Sequence, residues 1–354
     1  MACRLDRRRD RFKNSLSEEG LSGALLTDPA NIRYLCGFSG EGILAVGEAV
    51  VLVTDPRYGE QAEEEAQGCR VVVTRERLLD GLKEALKDGF WGERVGLEAS
   101  LPYGTYLLLR EVFPDVEWTK ASCLEALRSV KDEGEIALIR EVARIGDRIF
   151  GQLLSLLRPG VTEREVAAEL VYRLHVEGEG PSFGPIVAFG PNSSKPHAVP
   201  SDRKLVEGEP VLVDFGILRQ GYASDMTRTF WFGEPEEEFV RVHSVILDAQ
   251  NAALEATRSG MDVVELDGVA RKVIEDAGYG ENFGHGLGHG VGLKVHEPPR
   301  ISPKGEGKIE EGMVFTFEPG IYLPGRWGVR TEDMVVLGRE GPEVLTSSPK
   351  FVRI

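Results

Sequence analysis

The chain repeats itself, and the repeat limits its fold more than any other feature. KLVEGEPVLVDFGI (204–217) aligns without a gap with KIEEGMVFTFEPGI (308–321), and Lys, Glu, Gly, an acid, Gly and Ile recur at equal spacing. Upstream, FGPIVAFG (183–190) lines up in the same order with FGHGLGHG (283–290). Each copy follows two stretches of helical periodicity. The first pair begins at Asp132 and Thr162, and the second spans 236–258 and 263–277. Two ordered matches of this kind predict a duplicated helix-helix-sheet unit.

The acids are placed by the repeat. PVLVDFGI and YASDMTRTFWF read as strands around the turn LRQG, and FTFEPGIY and GVRTEDMVVL flank LPGRW. Centring the first turn on Arg219-Gln220 sets Asp214 opposite Asp225. Centring the second on Gly325 sets Glu318 opposite Glu332. Like charges opposed across a ladder destabilise a sheet, and clustered carboxylates without a counter-charge are forced to keep protons. Divalent cations supply that charge, and two of them can share bridging oxygens about 3.5–4 Å apart.

The six histidines agree with this reading. His175 and His243 fall in helical patterns and read as surface or packing residues. His197, His285, His289 and His296 fall in glycine- or proline-rich strand and loop segments of the duplicated region. GHGLGHG (284–290) spaces two histidines as a helical zinc motif would, but each glycine in a helix interior costs roughly 1 kcal/mol. The stretch is therefore not a helix. Its glycines let the backbone approach an ion or substrate closely.

The first third differs. Strand-like runs at 23–26, 42–46, 49–53, 70–73 and 95–97 alternate with helical patterns at 57–67, 78–87 and 103–112, which predicts an α/β domain over 1–125. Before them a basic first helix points Leu5, Phe12 and Leu16 inward. The second domain, 126–354, opens with Asp132 and Glu135 spaced as a capping box, on a helix that Pro159-Gly160 ends. With 58 acidic against 42 basic residues the chain carries −16, which argues against a nucleic-acid partner. Four scattered cysteines give no disulfide framework or thiolate zinc site. No apolar run is long enough for a membrane span, and the start lacks the apolar run of a signal peptide. A cytoplasmic location is expected.

Asp214, Asp225, His289, Glu318 and Glu332, in GHGLGHGVGLKVHEPPRIS, FTFEPGIY and VRTED, resemble the pita-bread metallopeptidases, family M24. NSSKPHAVPSDRKL, GYASDMTRT, RSVKDEGEI and DPANIRYLCGFSG resemble the proline-specific branch, aminopeptidase P and prolidase. The resemblance runs along essentially the whole chain. It implies a creatinase-like α/β N-terminal domain and an α+β C-terminal pita-bread domain with pseudo-two-fold duplication. It also implies that Asp214, Asp225 and Glu332 hold one metal ion. By the same resemblance Asp225, His289, Glu318 and Glu332 would hold the other, and a shared water or hydroxide would be the nucleophile. Glu318 would carry its proton, His197 and His296 would contact the substrate carbonyl and the tetrahedral intermediate, and His285 would stand near the substrate. Arg330 would orient the acids, while Tyr322 and Arg300 would meet substrate. In KPHA, alanine stands where many relatives place a second histidine, which bears on the exact peptidase type.

The implied activity is that of an Xaa-Pro aminopeptidase using two divalent ions, manganese or cobalt ahead of zinc or iron, and acting as a homodimer on proline-containing peptides. The alternative is a prolidase confined to Xaa-Pro dipeptides. A non-catalytic peptide-binding module and a metal-free amidinohydrolase are disfavoured because all five ligand positions are filled.

Overall fold

The computed structural model describes residues 2–86, 89–351 and 353–354, and the chain separates into two units, Met1–Arg128 and Ser129–Ile354. In the first, six strands lie in the spatial order Arg70–Val73, Val50–Thr54, Ile43–Val46, Ala24–Leu26, Arg94–Leu97, Glu117–Lys120. The three central neighbours pair antiparallel, and the outer pairings are parallel. The central strands are apolar without alternation and wholly buried, as strands covered on both faces must be. Leu5, Phe12 and Leu16 of the first helix, Ala2–Glu18, point inward as their spacing predicts.

Three elements lie outside the sequence expectation: two short helices, Pro29–Cys36 and Cys123–Ser129, and one edge strand. The helix Pro29–Cys36 is too short to show periodicity, but its ends are well marked. The Asp28 carboxylate accepts from the Ala30 N–H, Pro29 starts the helix, and Gly37 stops it at φ 85°. The strand Glu117–Lys120 sits at the sheet edge and is only half buried.

The second unit is duplicated down to single hydrogen bonds. The Gly160 and Leu205 N–H groups donate to the Leu205 and Val161 carbonyls, both at 2.8 Å. The Gly260 and Ile309 N–H groups do the same to Ile309 and Met261, again at 2.8 Å. Isolated bridges join Thr162 to Lys204 and Asp262 to Lys308. The helices Glu133–Leu154 and Glu163–Glu177 belong to the first copy, Glu237–Ala256 and Val263–Asp276 to the second. Asp132 and Glu135 form the expected capping box, although the helix ends at Leu154, ahead of Pro159. Each copy buries helix faces on its own strands, and Ile139 and Ala143 of the first copy also pack on Val314, Met334 and Val336 of the second. Val142, Ile149, Leu170, Val211 and Phe230 share one core, and Phe239, Ile246, Leu266, Phe315 and Phe317 share the other. The architecture is the α/β domain plus duplicated α+β domain that the sequence predicts.

The two hairpins differ in register. In the second, Phe317 pairs with Asp333 and Gly320 with Arg330, which frames Glu318 and Glu332 opposite one another as expected. In the first, Asp214 pairs with Thr227 rather than Asp225. The turn falls on Gln220-Gly221, both at positive φ (50° and 74°), one residue later than expected, with Arg219 paired to Tyr222. Such a two-residue turn matches the twist of its strands. The pairing therefore slides by two residues, which keeps every side chain on its original face. Asp214 and Asp225 are diagonal neighbours instead of directly opposed ones.

Candidate metal centre

Strand alternation separates two adjacent acids. Asp333 turns to one face, where Arg228 Nη2 donates to it at 2.7 Å and Lys350 Nζ stands 2.5 Å away. Burial alone would raise its pKa, but these two cations outweigh burial and hold it below the usual range. Glu332 turns to the other face and joins the acids. Thr227, two residues beyond Asp225, donates its hydroxyl to Glu332 Oε2 at 2.7 Å.

All five expected ligand residues line one cavity of about 650 Å³, as do the other three histidines and the two arginines singled out with them. That size suits a small-molecule or peptide site. Asp225, His289 and Glu332 form its tightest group, each offering an atom within 4.8 Å of the others. Glu318 Oε1 stands 3.5 Å from His289 Nε2. Asp214 gives one oxygen to Arg330 Nη2 at 2.5 Å, while its Oδ1 is buried with no hydrogen-bond partner.

The two histidines of GHGLGHG have defined tautomers. His289 Nδ1 lies 3.1 Å from the Gly290 carbonyl, and since a carbonyl only accepts, Nδ1 carries the proton. Nε2 then turns a bare lone pair toward Asp225 Oδ2 at 3.6 Å and Glu318 Oε1 at 3.5 Å. These are not ion pairs. Burial, then His296, push the His289 pKa down to about 4, so the imidazole is neutral. His285 Nδ1 likewise donates to Gly286 O at 2.8 Å, and its Nε2 accepts from the Tyr322 hydroxyl at 3.0 Å. Tyr322 O accepts from Arg330 Nη1 at 2.8 Å. Tyr322 is buried behind the cavity wall rather than lining it. Arg330 also donates to Thr227 Oγ1 at 3.0 Å and to the Pro196 carbonyl at 3.2 Å.

Without cations, the acids are frustrated. Burial, then the charge of Asp214, push Glu332 up to about 8. Burial and the charge of Glu332 raise Asp225 and Glu318 well above the carboxylate range, and burial raises Asp214 against the pull of Arg330. Facing lone pairs, an orphaned carboxylate oxygen and raised acids share one remedy, a cation bound among them. Four carboxylates and one neutral imidazole fit divalent ions of intermediate hardness. His197, His296 and Arg300 are exposed at the cavity wall, where a bound molecule would meet them. Sequence reasoning missed Thr227. Its one signal is its place two residues from Asp225 on the same strand face.

Residues 137–339 match the family description Metallopeptidase family M24, and residues 8–130 match the Creatinase/Prolidase N-terminal domain. The chain is 37% identical over 340 residues to the Xaa-Pro dipeptidase of Pyrococcus horikoshii, covering 95% of each chain. Among solved structures, it superposes on the Xaa-Pro dipeptidase from Bacillus anthracis with a TM-score of 0.93 at 36% identity, covering 99% of this chain and 100% of that one. The X-Pro aminopeptidase from Thermotoga maritima gives 0.88 at 37% identity, with 96% and 100% covered.

Proposed function

The chain belongs to metallopeptidase family M24, and on that premise we propose that it is an Xaa-Pro dipeptidase working with two divalent cations. The observation that carries this reading is the convergence of four acids and a neutral His289 on one cavity, in a chain alike from end to end to Xaa-Pro dipeptidases. The sequence expectation ranks the aminopeptidase first, whereas the relatives' names favour the dipeptidase. The likeness to an X-Pro aminopeptidase keeps that activity as the second reading. Turnover of Xaa-Pro dipeptides against Xaa-Pro-Xaa tripeptides tests the choice. Dipeptide-only cleavage supports the first reading, and equal or faster tripeptide cleavage replaces it with the second.

Asp214, Asp225 and Glu332 would hold one ion and Asp225, His289, Glu318 and Glu332 the other. The ions would supply positive charge that neutralises the acids and polarises a substrate carbonyl. The Xaa-Pro bond is a tertiary amide without an N–H, so a site that works on the carbonyl loses nothing at proline. Glu318 would take a proton and return it to the leaving nitrogen. His197 and His296 stand at the exposed wall to contact the substrate carbonyl and the group that develops from it. Arg300 lines the same wall and would meet the carboxylate that a dipeptide carries next to its proline. The Arg330–Tyr322–His285 chain of hydrogen bonds would hold Asp214 from behind. Oxygen-rich ligation with one imidazole suits manganese, cobalt, iron or zinc, and the absence of a thiolate ligand argues for manganese. A homodimer in the cytoplasm completes the reading. No helix among the described residues is long and apolar enough to cross a membrane.

A further inference from the structure

His197 sits exposed on an irregular segment, 190–201, that starts in a short 3-10 turn, Gly190–Ser194. Its own side chain does little to fix that segment, yet a group that contacts a reacting carbonyl has to stand still. The segment is fastened from behind by Glu163, the first residue of the helix Glu163–Glu177. This carboxylate has no solvent exposure. Oε1 accepts from the Phe189 N–H at 2.7 Å, and Oε2 accepts from the Ser201 N–H at 2.9 Å and the Ser201 hydroxyl at 2.5 Å. The Asn192 amide donates to both oxygens, at 3.0 and 3.2 Å. Both ends of the segment and its first turn thus converge on one side chain. The helix backbone adds to this, because the Arg164 N–H donates to the Ser201 carbonyl at 3.1 Å.

The second copy also has a buried acid on its second helix, tied to a different segment. Asp267, 1% exposed, accepts from the Leu287 N–H at 2.9 Å and anchors Arg271. Arg271 in turn donates to the Phe283 and His285 carbonyls at 3.0 and 2.7 Å. Glu163 opens its helix, whereas Asp267 lies a full turn inside the helix Val263–Asp276. In each copy a buried carboxylate on the second helix is tied to a backbone segment that carries one of the cavity's histidines, although 283–287 aligns with 183–187 and not with the segment 190–201.

We propose that Glu163 is a positioning residue for the reaction, fixing where the His197 imidazole stands relative to the carboxylate cluster. This rests on the proposed role of His197 toward substrate, and a double-mutant cycle separates the two. Glu163→Gln keeps the shape but turns an amide N–H₂ onto groups that are themselves donors. With the manganese-loaded protein and an Xaa-Pro dipeptide, Glu163→Gln is expected to lower kcat about 10–100-fold, since a displacement near one ångström costs up to ~10²-fold. KM and bound metal should stay within about threefold, because neither depends on His197 in this reading. In a His197→Ala background, Glu163→Gln should add less than about threefold, because coupled groups are not additive.

Ser201→Ala, which removes one donor and leaves the fold its remaining tethers, should show a smaller kcat loss with the same non-additivity. It stands in if Glu163→Gln does not fold. Effects that multiply fully in the double variant, or loss of metal alongside kcat, overturn the proposal while leaving the His197 role intact. If His197→Ala alone leaves kcat unchanged, the role of His197 falls and the proposal falls with it.

Discussion

The Thr227 hydroxyl ties two of the cavity's charged groups together, since it donates to Glu332 Oε2 and accepts from Arg330 Nε. Partners behind a ligand typically change metal affinity 10–100-fold. Thr227→Val keeps the volume and removes the hydroxyl, so its manganese affinity should fall by about 10–100-fold. Titration of the metal-free protein measures this, and Thr227→Ser should restore most of the loss. Substituting a proposed ligand should act more bluntly. Asp225→Asn or Glu332→Gln should leave neither bound metal nor activity, whereas His197→Ala should cut turnover with metal content intact. Metal analysis beside a peptide assay separates the two kinds, and a His197→Ala protein stripped of metal would make His197 a ligand. At this scale the acids and histidines were legible because chemistry restricts their residue types. Thr227 was not, because a threonine in a strand is ordinary there, and its partner Glu332 lies 105 residues away.

Glycines in GHGLGHG do unequal work, and the strand Gly288–Gly290 shows why. It lies between Glu297–Ile301 and Val314–Phe317, and a Cβ on Gly288 would fall 1.9 Å from the Thr316 carbonyl oxygen. Nothing lies within 4 Å of a Cβ on Gly284. Gly288→Ala should therefore destabilise the protein by about 1–3 kcal/mol, the usual cost of overpacking. Gly284→Ala should stay within about 0.5 kcal/mol. Urea midpoints at unchanged slope would check the contrast, and equal shifts for both would refute it. The sequence could exclude a helix here but could not rank the glycines, because the rank depends on a neighbouring strand from elsewhere in the chain. The hairpins show the same limit. Gly325 centred the second correctly, while LRQG offered two centres, and only the positive φ of Gln220 and Gly221 decides between them. The helix Pro29–Cys36 escaped notice because a run this short announces itself only by its caps.

Across the whole molecule, the buried acids make stability depend on pH and metal together. Glu332 titrates near 8 in the folded metal-free protein, against an ordinary value of 4.5, and Asp214, Asp225 and Glu318 shift the same way. Above 4.5 the unfolded chain has released protons that the folded chain still holds, so stability falls as pH rises toward 8. His285 and His289, lowered to about 4, oppose this only below their ordinary 6.5. The clean window is thus from about pH 6.5 to about 8. There the thermal midpoint of the metal-free protein should drop, and the gain on adding manganese should grow, because the ligands must be deprotonated to bind it. Scanning calorimetry with chelator or metal at both ends of the window tests this. A gain independent of pH would mean the acids are not the ligands. The duplication was legible in the sequence, but it did not show that the copies meet at their acids. Asp214 and Asp225 come from one copy, and Glu318, Glu332 and His289 from the other. The Thr227 carbonyl and hydroxyl both hold Glu332 across that seam. A loaded cation pair would act there as a rivet. Force pulling the copies apart would have to shear several carboxylate–cation bonds at once instead of unzipping backbone contacts one by one, which would make the carboxylate cluster a stiff joint between the two copies.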